Sequence, residues 1–281
     1  MIYDDTLCQL GEGPLWHPLR GSLFWFDILG CCLYERAPTD SIAQRWEFDE
    51  FVSAAAWVDE EHLLVASQTS LSLFNANTGD SQFIHNLEAD NLTTRSNDGR
   101  ADPFGGFWIG TVGLNAEPNA GAIYRFYKGE LRKLIGNITI SNSICFSPDG
   151  KQAYYCDTPT KKIMKVGLDD KGWPNSESKL FVDVAPHNPD GSVVDIQGNL
   201  YNAQWGSNRV AIYSQDGDFI GEELFEASHT SCPSIGGEQF NQLFVTSASI
   251  EISNSESEYE GAVFISSVDV QGQKEHQVIL D

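Results

Sequence analysis

The sequence predicts an all-β protein, a six-bladed β-propeller that forms one domain over residues 1–281. A unit made of an apolar strand, a Gly/Asp/Pro turn and a second apolar strand occurs six times. The units begin near Pro14, Ser53, Asn97, Asn142, Pro189 and Cys232. Their starts lie 39, 44, 45, 47 and 43 residues apart, and a period of roughly 40 to 50 residues built of strands is typical of a propeller. No linker interrupts the series, so each unit can complete its neighbour's core within one domain.

The strands within each unit follow from residue type. The second strand is rich in aromatic and β-branched residues and is bounded by turn residues. Second strands are predicted at 23–28, 63–66, 107–111, 153–157, 200–203 and 243–246. The turns before them are predicted at 17–22, 59–62, 102–106, 147–152, 195–199 and 237–242. Third strands are predicted at 122–126, 162–166, 210–213 and 262–265, and no segment has the period of about 3.6 residues that marks a helix.

The two ends of the chain have to close the ring, because an open propeller leaves strand edges unpaired. The tail 277–280 is apolar, and so are the opening residues Ile2 and Tyr3. We expect these two segments to share one blade.

Composition and charge argue against several classes of function. The chain has 40 acidic and 17 basic residues and a net charge of −23, so phosphate backbones and anionic lipid surfaces would repel it. We therefore expect neither nucleic-acid nor membrane binding. The opening residues lack the basic and apolar segments of a secretory signal, and the six cysteines show no CxxC pair and no zinc spacing. A cytoplasmic protein is expected, as a monomer or weak homodimer.

Polar residues recur where the inner strands begin. Glu12, Asn97, Asn142 and Asp190 are expected at an equivalent register in four of the six units. In a propeller these side chains would converge on one mouth of the central channel. Two carboxylates and two amides form an all-oxygen site that suits Ca²⁺, Mg²⁺ or Mn²⁺ and could hold Zn²⁺ or Fe²⁺. The alternative is that they are ordinary turn residues, since Asn and Asp before Gly are common turn formers.

Several segments resemble the SMP-30/gluconolactonase/regucalcin-like family. They are LGEGPLW at 10–16, NDGRADP at 97–103 with FWIGT at 107–111, SN at 141–142 with FSPDG at 146–150, and PDG at 189–191. The likeness runs in order from about residue 8 to residue 250. The sequence departs from the family pattern at Ser143, where Gly is usual, and in the polar stretch 203–208.

The resemblance implies a six-bladed propeller with one divalent cation in the central channel and an enzyme that opens sugar lactones. Glu12, Asn142 and Asp190 match the protein ligands of the metal, and Asp190 also matches the general base. Arg95 and Glu117 match residues that contact the substrate, and Asn97 matches a residue that holds the substrate or contacts the metal through water.

Three functions compete at this point. The first is a metal-dependent sugar lactonase, in which the cation polarises the lactone carbonyl and Asp190 activates water. The second is a non-catalytic calcium-binding regulatory propeller that uses the same ligands. The third is a scaffold for protein partners, in which the polar residues are only turns. Arg95, Asn97 and Glu117 favour the enzyme, since ion storage requires none of them. His187 and His229 lie near units five and six and are secondary candidates to reach the mouth.

Overall fold

The computed structural model describes residues 1–252 and 257–281 and has the predicted six-bladed propeller. Each blade is a four-stranded antiparallel sheet. The six inner strands contact one another in a closed ring around the channel. Within the described residues, the only helical element is the short 3₁₀ turn Thr158–Thr160, as the absence of a helical period predicts.

Strand bounds follow the predicted units closely. Blade 1 comprises β2 (Gly11–His17), β3 (Ser22–Asp27), β4 (Cys32–Arg36) and β5 (Gln44–Glu47). Blade 2 comprises β6 (Val52–Trp57), β7 (His62–Ser67), β8 (Ser70–Asn75) and β9 (Ser81–Asn86). Blade 3 comprises β10 (Thr94–Ala101), β11 (Phe107–Gly113), β12 (Gly121–Tyr127) and β13 (Glu130–Ile138).

The other three blades repeat this order. Blade 4 comprises β14 (Ser141–Phe146), β15 (Gln152–Asp157), β16 (Lys162–Gly167) and β17 (Lys179–Asp183). Blade 5 comprises β18 (Asn188–Val194), β19 (Leu200–Trp205), β20 (Arg209–Tyr213) and β21 (Phe219–Leu224). Blade 6 comprises β22 (Thr230–Gly236), β23 (Gln242–Ser247), β24 (Val263–Ser267) and, as its outer strand, β1 (Ile2–Asp4).

Burial falls from the channel outward. The inner strand β2 and the second strand β3 are buried along their whole length, whereas the outer strands β5 and β9 are mostly exposed. Large aromatic side chains fill the space between blades. Trp108 of blade 3, for example, meets Phe146 of blade 4 edge-on at 5.5 Å between ring centroids.

The turns after the inner strands are fixed by side chains that bind the backbone. In blade 3, Asp102 Oδ1 accepts hydrogen bonds from the amides of Phe104 and Gly106. Its Oδ2 accepts from Arg125 Nε at 2.6 Å, and both partners of this ion pair are fully buried. In blade 1 the corresponding residue is His17, which accepts from two turn amides through Nδ1.

The N-terminus closes the ring as predicted, but the predicted place of the C-terminal tail is wrong. Ile2 of β1 pairs with Phe264 of β24 and completes blade 6. The tail adds no strand to that blade. It crosses the far end of the channel, where Val278 N bonds to Trp57 O and Ile279 N bonds to Gly105 O.

The tail lies there because its polar side chains have buried partners at that end. Glu275 forms an ion pair with Arg100 of the inner strand β10. Gln273 Nε2 donates to the carbonyls of Phe146 and Val194 in blades 4 and 5. Val278 joins the apolar cluster of blades 2 and 3.

A search of the described residues finds no helix that is long and apolar enough to span a membrane.

Candidate functional site

Every inner strand contains a β-bulge close to the same end of the channel. The register shifts lie between Glu12 and Leu15, Val52 and Ala54, Ser96 and Gly99, Asn142 and Cys145, Pro189 and Ser192, and Thr230 and Pro233. In each case the inner strand has one residue more than its partner between the flanking pairs. A bulge bends the strand and changes the direction of its side chains.

The bulges correct the predicted register of the four polar residues. Glu12 and Asn142 are the last paired residues before their bulges, opposite Phe26 and Cys156. Asn97 and Asp190 come one position later and are unpaired inside their bulges. Successive residues of a regular strand point to opposite faces. Without bulges, the side chains at these two positions would therefore point in opposite directions, and the irregular backbone allows both to reach one pocket.

The predicted residues meet in a pocket of about 410 Å³ at this end of the channel. Glu12, Asn97, Asn142 and Asp190 line it, each no more than 7% exposed, together with Arg95. The remaining polar lining residues are Thr158, Asn188 and Glu251. The apolar lining residues are Leu10, Ile140, Pro159, Trp205 and Ile250.

A chain of hydrogen bonds orients the two amides. Arg95 Nη1 donates to Asn97 Oδ1 at 2.8 Å, and Asn97 Nδ2 donates to Asn142 Oδ1 at 3.1 Å. Asn142 Nδ2 donates in turn to Thr158 Oγ1 at 2.9 Å, and that hydroxyl donates to Pro189 O at 2.8 Å. With its nitrogen bonded to Thr158, Asn142 directs its oxygen away from Thr158. This oxygen accepts from Asn97 and has a second lone pair for a cation.

The backbone at Asp190 is supported from blade 4. Ser143 Oγ donates to Asp190 O at 2.6 Å, and Asn202 Nδ2 donates to the same carbonyl at 3.1 Å. Ser143 has a φ of 61°, the left-handed region in which glycine is easiest to place. The serine noted as a departure from the family pattern therefore binds the strand that carries Asp190.

Buried carboxyl groups lie close together at the floor of the pocket, so that each disfavours the ionised form of the others in the absence of a cation. Burial raises the pKa of Glu12 to about 8, with a further contribution from the Asp98 carboxylate. Burial also raises the pKa of Asp190 well above its usual value, with Glu12 and Asp98 adding to the effect. Asp98 lies buried beneath the pocket, accepts a hydrogen bond from Ile144 N at 2.7 Å, and has a pKa raised to about 6, mainly by burial.

The donor set of the pocket fits a divalent cation. Among the lining residues that the structure describes, Arg95 is the only basic one, so the buried carboxylates are not fully neutralised by protein groups. Carboxylate and amide oxygens are the ligands that hard divalent cations prefer. No group of three or more His, Cys, Asp or Glu in the described part of the chain is placed to hold a metal, so Asn142 would have to be the third ligand beside Glu12 and Asp190.

Other predicted candidates lie outside this lining. Glu117 Oε1 accepts from Asn115 Nδ2 at 2.8 Å and Oε2 from Asn115 N at 3.0 Å, within its own loop. His187 Nδ1 bonds to Ser207 Oγ at 3.0 Å. His229 is stacked behind Trp205, with ring centroids 4.2 Å apart.

The sequence analysis did not identify the other residues that line the pocket around the proposed ligands. Trp205 falls in the stretch 203–208, whose departure from the family pattern was the one available signal. Thr158 and Pro159 follow the second strand of blade 4 in a 3₁₀ turn. Leu10, Ile140 and Ile250 are single apolar residues outside the named strands, and no local pattern marks them.

Comparisons with known proteins show which family the chain resembles along most of its length. A family model described as the SMP-30/gluconolactonase/LRE-like region matches residues 10–249. An L-arabinolactonase of Azospirillum brasilense is 34% identical over 93% of this chain and 89% of its own length. A 6-deoxy-6-sulfogluconolactonase of Pseudomonas putida is 30% identical over 94% of this chain and 92% of its own length.

A solved structure is also similar along nearly the whole chain. It is a protein described as a calcium-binding protein, regucalcin, from Agrobacterium tumefaciens. It is 36% identical, with a TM-score of 0.97, and the match covers 99% of this chain and 97% of that one.

Proposed function

Because the chain belongs to the SMP-30/gluconolactonase/LRE-like family, we propose that it hydrolyses a sugar lactone to the aldonic acid. The observation that carries the proposal is the meeting of Glu12, Asn142 and Asp190 in one buried pocket beside Arg95 and Asn97. The side-chain oxygens of these three residues would hold one divalent cation. The candidate cations are Ca²⁺, Zn²⁺, Mn²⁺, Mg²⁺ and Fe²⁺. A relative named for an arabinolactone and another named for a sulfogluconolactone support the substrate class.

The bound cation and Asp190 would have different roles in the reaction. A bound cation would polarise the lactone carbonyl and stabilise negative charge on its oxygen. Asp190 acts as general base, taking a proton from the attacking water. The ester C–O bond of the ring then breaks, and Asp190 returns the proton to the departing ring oxygen. The product is the open-chain hydroxy acid.

Arg95 and Asn97 position the substrate. Arg95 uses Nη1 for its described hydrogen bonds to Ser96 and Asn97, which leaves Nε and Nη2 for hydroxyls of the lactone. Fixing the ring beside the base contributes to the rate as well as to affinity. A substrate contact of Glu117 stays a prediction, since it requires this carboxylate to exchange its bonds with Asn115 for bonds to the sugar.

A calcium-binding regulatory role without turnover is the second candidate. The similar structure described as a calcium-binding protein favours it. Arg95 argues for the enzyme, because its described hydrogen bonds use only Nη1 and a site that only stores an ion does not need further donors at the pocket. In either case we propose a cytoplasmic monomer or weak homodimer without nucleic-acid or membrane partners.

A pH-stat assay separates these functions. The protein is freed of metal with a chelator and then tested on pentono- and hexono-1,4-lactones with each of the five cations. We expect no hydrolysis in the metal-free sample, recovery with at least one cation, and much slower hydrolysis of γ-butyrolactone. A site built for hydroxyls rejects analogues without them by as much as about 10⁴-fold.

Each outcome of the assay has a distinct meaning. Full activity in a verified metal-free sample would refute the role of the cation. Tight calcium binding without hydrolysis of any lactone would favour the regulatory protein. Equal rates on γ-butyrolactone and sugar lactones would refute the sugar assignment.

A further inference from the structure

The lining residues at the mouth of the pocket come from different blades. Arg95 and Asn97 come from β10 of blade 3. Trp205 ends β19 of blade 5, Ile250 follows β23 of blade 6, and Leu10 precedes β2 of blade 1. In a ring of six blades, blade 6 lies opposite blade 3 and has blades 5 and 1 as neighbours. Trp205, Ile250 and Leu10, here called the apolar wall, therefore lie across the channel from Arg95. The other two apolar lining residues, Ile140 and Pro159, come from blade 4, and the polar residues Asn188 and Glu251 lie on the same side as the wall.

The apolar wall is held in place by contacts behind it. The His229 ring stacks on the Trp205 indole at 4.2 Å with an interplanar angle of 10°. The Nδ1 of the same histidine donates to the carbonyl of Ile250 at 3.1 Å. One histidine thus fixes two residues of the wall. Because one face of the indole is covered by His229, the pocket contact of Trp205 uses the remaining surface of the ring.

We propose that the apolar wall selects lactones whose exocyclic carbon chain ends in a methyl group, that is, 6-deoxyhexonolactones. This proposal rests on the lactonase function proposed above. With the ring hydroxyls directed to Arg95 and Asn97 on blade 3, the exocyclic chain extends toward blades 5, 6 and 1. A terminal methyl group gains by leaving water there, whereas a terminal hydroxyl loses its hydrogen bonds to water.

Glu251 provides the natural counterargument. This carboxylate also lines the pocket next to Ile250, and it is exposed to solvent. If Glu251 accepted a hydrogen bond from a terminal hydroxyl, the preference would be reversed. A preference for the deoxy lactone would therefore assign recognition of the exocyclic chain to the apolar wall. A preference for the hydroxylated lactone would assign it to Glu251.

The test compares a 6-deoxyhexono-1,4-lactone with the hexono-1,4-lactone of the same ring configuration, by initial rates in the pH-stat. A hydrophobic pocket discriminates against an added hydroxyl by about 10²-fold at most, and we expect the wild type to favour the deoxy lactone roughly 10-fold in kcat/KM. Trp205→Ala should bring this ratio close to unity, chiefly by raising KM for the deoxy lactone. Trp205→Phe keeps an aromatic face and should retain most of the preference.

Two further variants protect the test from a folding artefact. Trp173→Ala removes another half-buried indole, one that packs on Arg125 and Arg132 away from the pocket, and should leave the ratio unchanged. Ile250→Thr keeps a β-branched shape but adds a hydroxyl to the wall, and should shift the ratio toward the hydroxylated lactone even if Trp205→Ala does not fold.

Two results would overturn the proposal: a wild-type preference for the hydroxylated lactone or none at all, or a ratio that a folded Trp205→Ala protein leaves intact. If the protein hydrolyses neither lactone, the lactonase function fails. Calorimetric affinities for the same two compounds then test the role of the apolar wall separately. Tighter binding of the deoxy lactone supports the wall, and equal or weaker binding refutes it.

Discussion

The Ser143 hydroxyl donates a 2.6 Å hydrogen bond to the backbone carbonyl of Asp190, and this bond joins the bulges of blades 4 and 5. Ser143 directly follows one proposed ligand, and Asp190 is another. The distance between these two ligands is therefore set by a contact between main chain and side chain, in addition to the packing of the blades.

Substitution of Ser143 should separate backbone strain from hydrogen bonding. Ser143→Ala keeps the positive φ and loses the bond, so we expect the free energy of unfolding to fall by about 1 kcal/mol. Ser143→Gly loses the same bond but relieves a left-handed conformation that costs a non-glycine residue about 1 kcal/mol, so it should be near neutral. Urea denaturation of both variants checks this. Equal destabilisation by the two substitutions would show that position 143 stores no strain.

Thr158 should control the affinity for the cation more than the rate. Thr158→Val removes the acceptor that holds Asn142 Nδ2 and leaves the amide held only through its oxygen, by Asn97. Loss of such a supporting group typically lowers metal affinity about 10- to 100-fold. We expect a loss in the lower part of that range, measured by calorimetric titration of the metal-free protein, with kcat close to wild type at saturating cation.

Thr160→Val is the matched control for this substitution. Thr160 lies in the same 3₁₀ turn, but its hydroxyl donates to Asp157 O and its side chain does not line the pocket. It should bind the cation like the wild type. A similar loss in both variants would mean that the turn, and not the bond to Asn142, determines affinity.

Asp190→Asn tests whether this residue is a base as well as a ligand. The amide keeps the size of the side chain and one coordinating oxygen but removes the charge and the basicity. The loss of a general base lowers the rate on the order of 10² to 10⁴-fold, and saturating cation should not restore kcat. Recovery of near-normal kcat at high cation concentration would show that Asp190 is a ligand only.

His17 should make stability depend on pH. Burial lowers its pKa to about 4, and its Nδ1 accepts hydrogen bonds from the amides of Leu19 and Arg20. An unfolded histidine has a pKa of about 6.5. Between these values the unfolded chain binds more protons, so the free energy of unfolding falls as the pH drops from about 6.5 to about 4, by up to about 3 kcal/mol. Above that window His17 contributes no slope.

The contribution of His17 can be isolated with His17→Asn. The asparagine oxygen can accept from the same turn amides but does not titrate in this range. Denaturant unfolding at pH 7 and at pH 5 should show a smaller loss of stability for the variant than for the wild type. Identical losses in the two proteins would assign the pH dependence to other groups.

The sequence predicts the number of blades and the place of each inner strand well, because Gly/Asp/Pro turns recur at a nearly constant spacing. It also identifies Glu12, Asn97, Asn142 and Asp190, which the structure brings to one pocket. Asn142 is the last paired residue before its bulge, whereas Asp190 lies one position later, inside its bulge. This difference could not be predicted, since a bulge is defined only by the pairing with the partner strand. The same reason hides the role of Ser143, whose acceptor belongs to another blade.

The tail and the pocket wall show a second limit of the sequence. Val278, Ile279 and Leu280 have the pattern of a strand, yet their position is decided by Glu275, which pairs with Arg100 far away in sequence. Trp205 and Ile250 are far apart in sequence, but both contact His229 and both pack against the cluster of Leu10, Ile28 and Ala248. Such contacts depend on how the blades are arranged, and a local pattern holds no information about them.

The pairing of Ile2 with Phe264 has a consequence for biosynthesis. Among the strands of the propeller, β1 is synthesised first and its partner β24 last, so the ring cannot close until all six blades have been made. Until then β1 has no partner, and the apolar face of blade 1 that blade 6 will cover stays open to other chains. Folding that must wait for such distant contacts is slow, which lengthens the time in which incomplete rings can associate with one another.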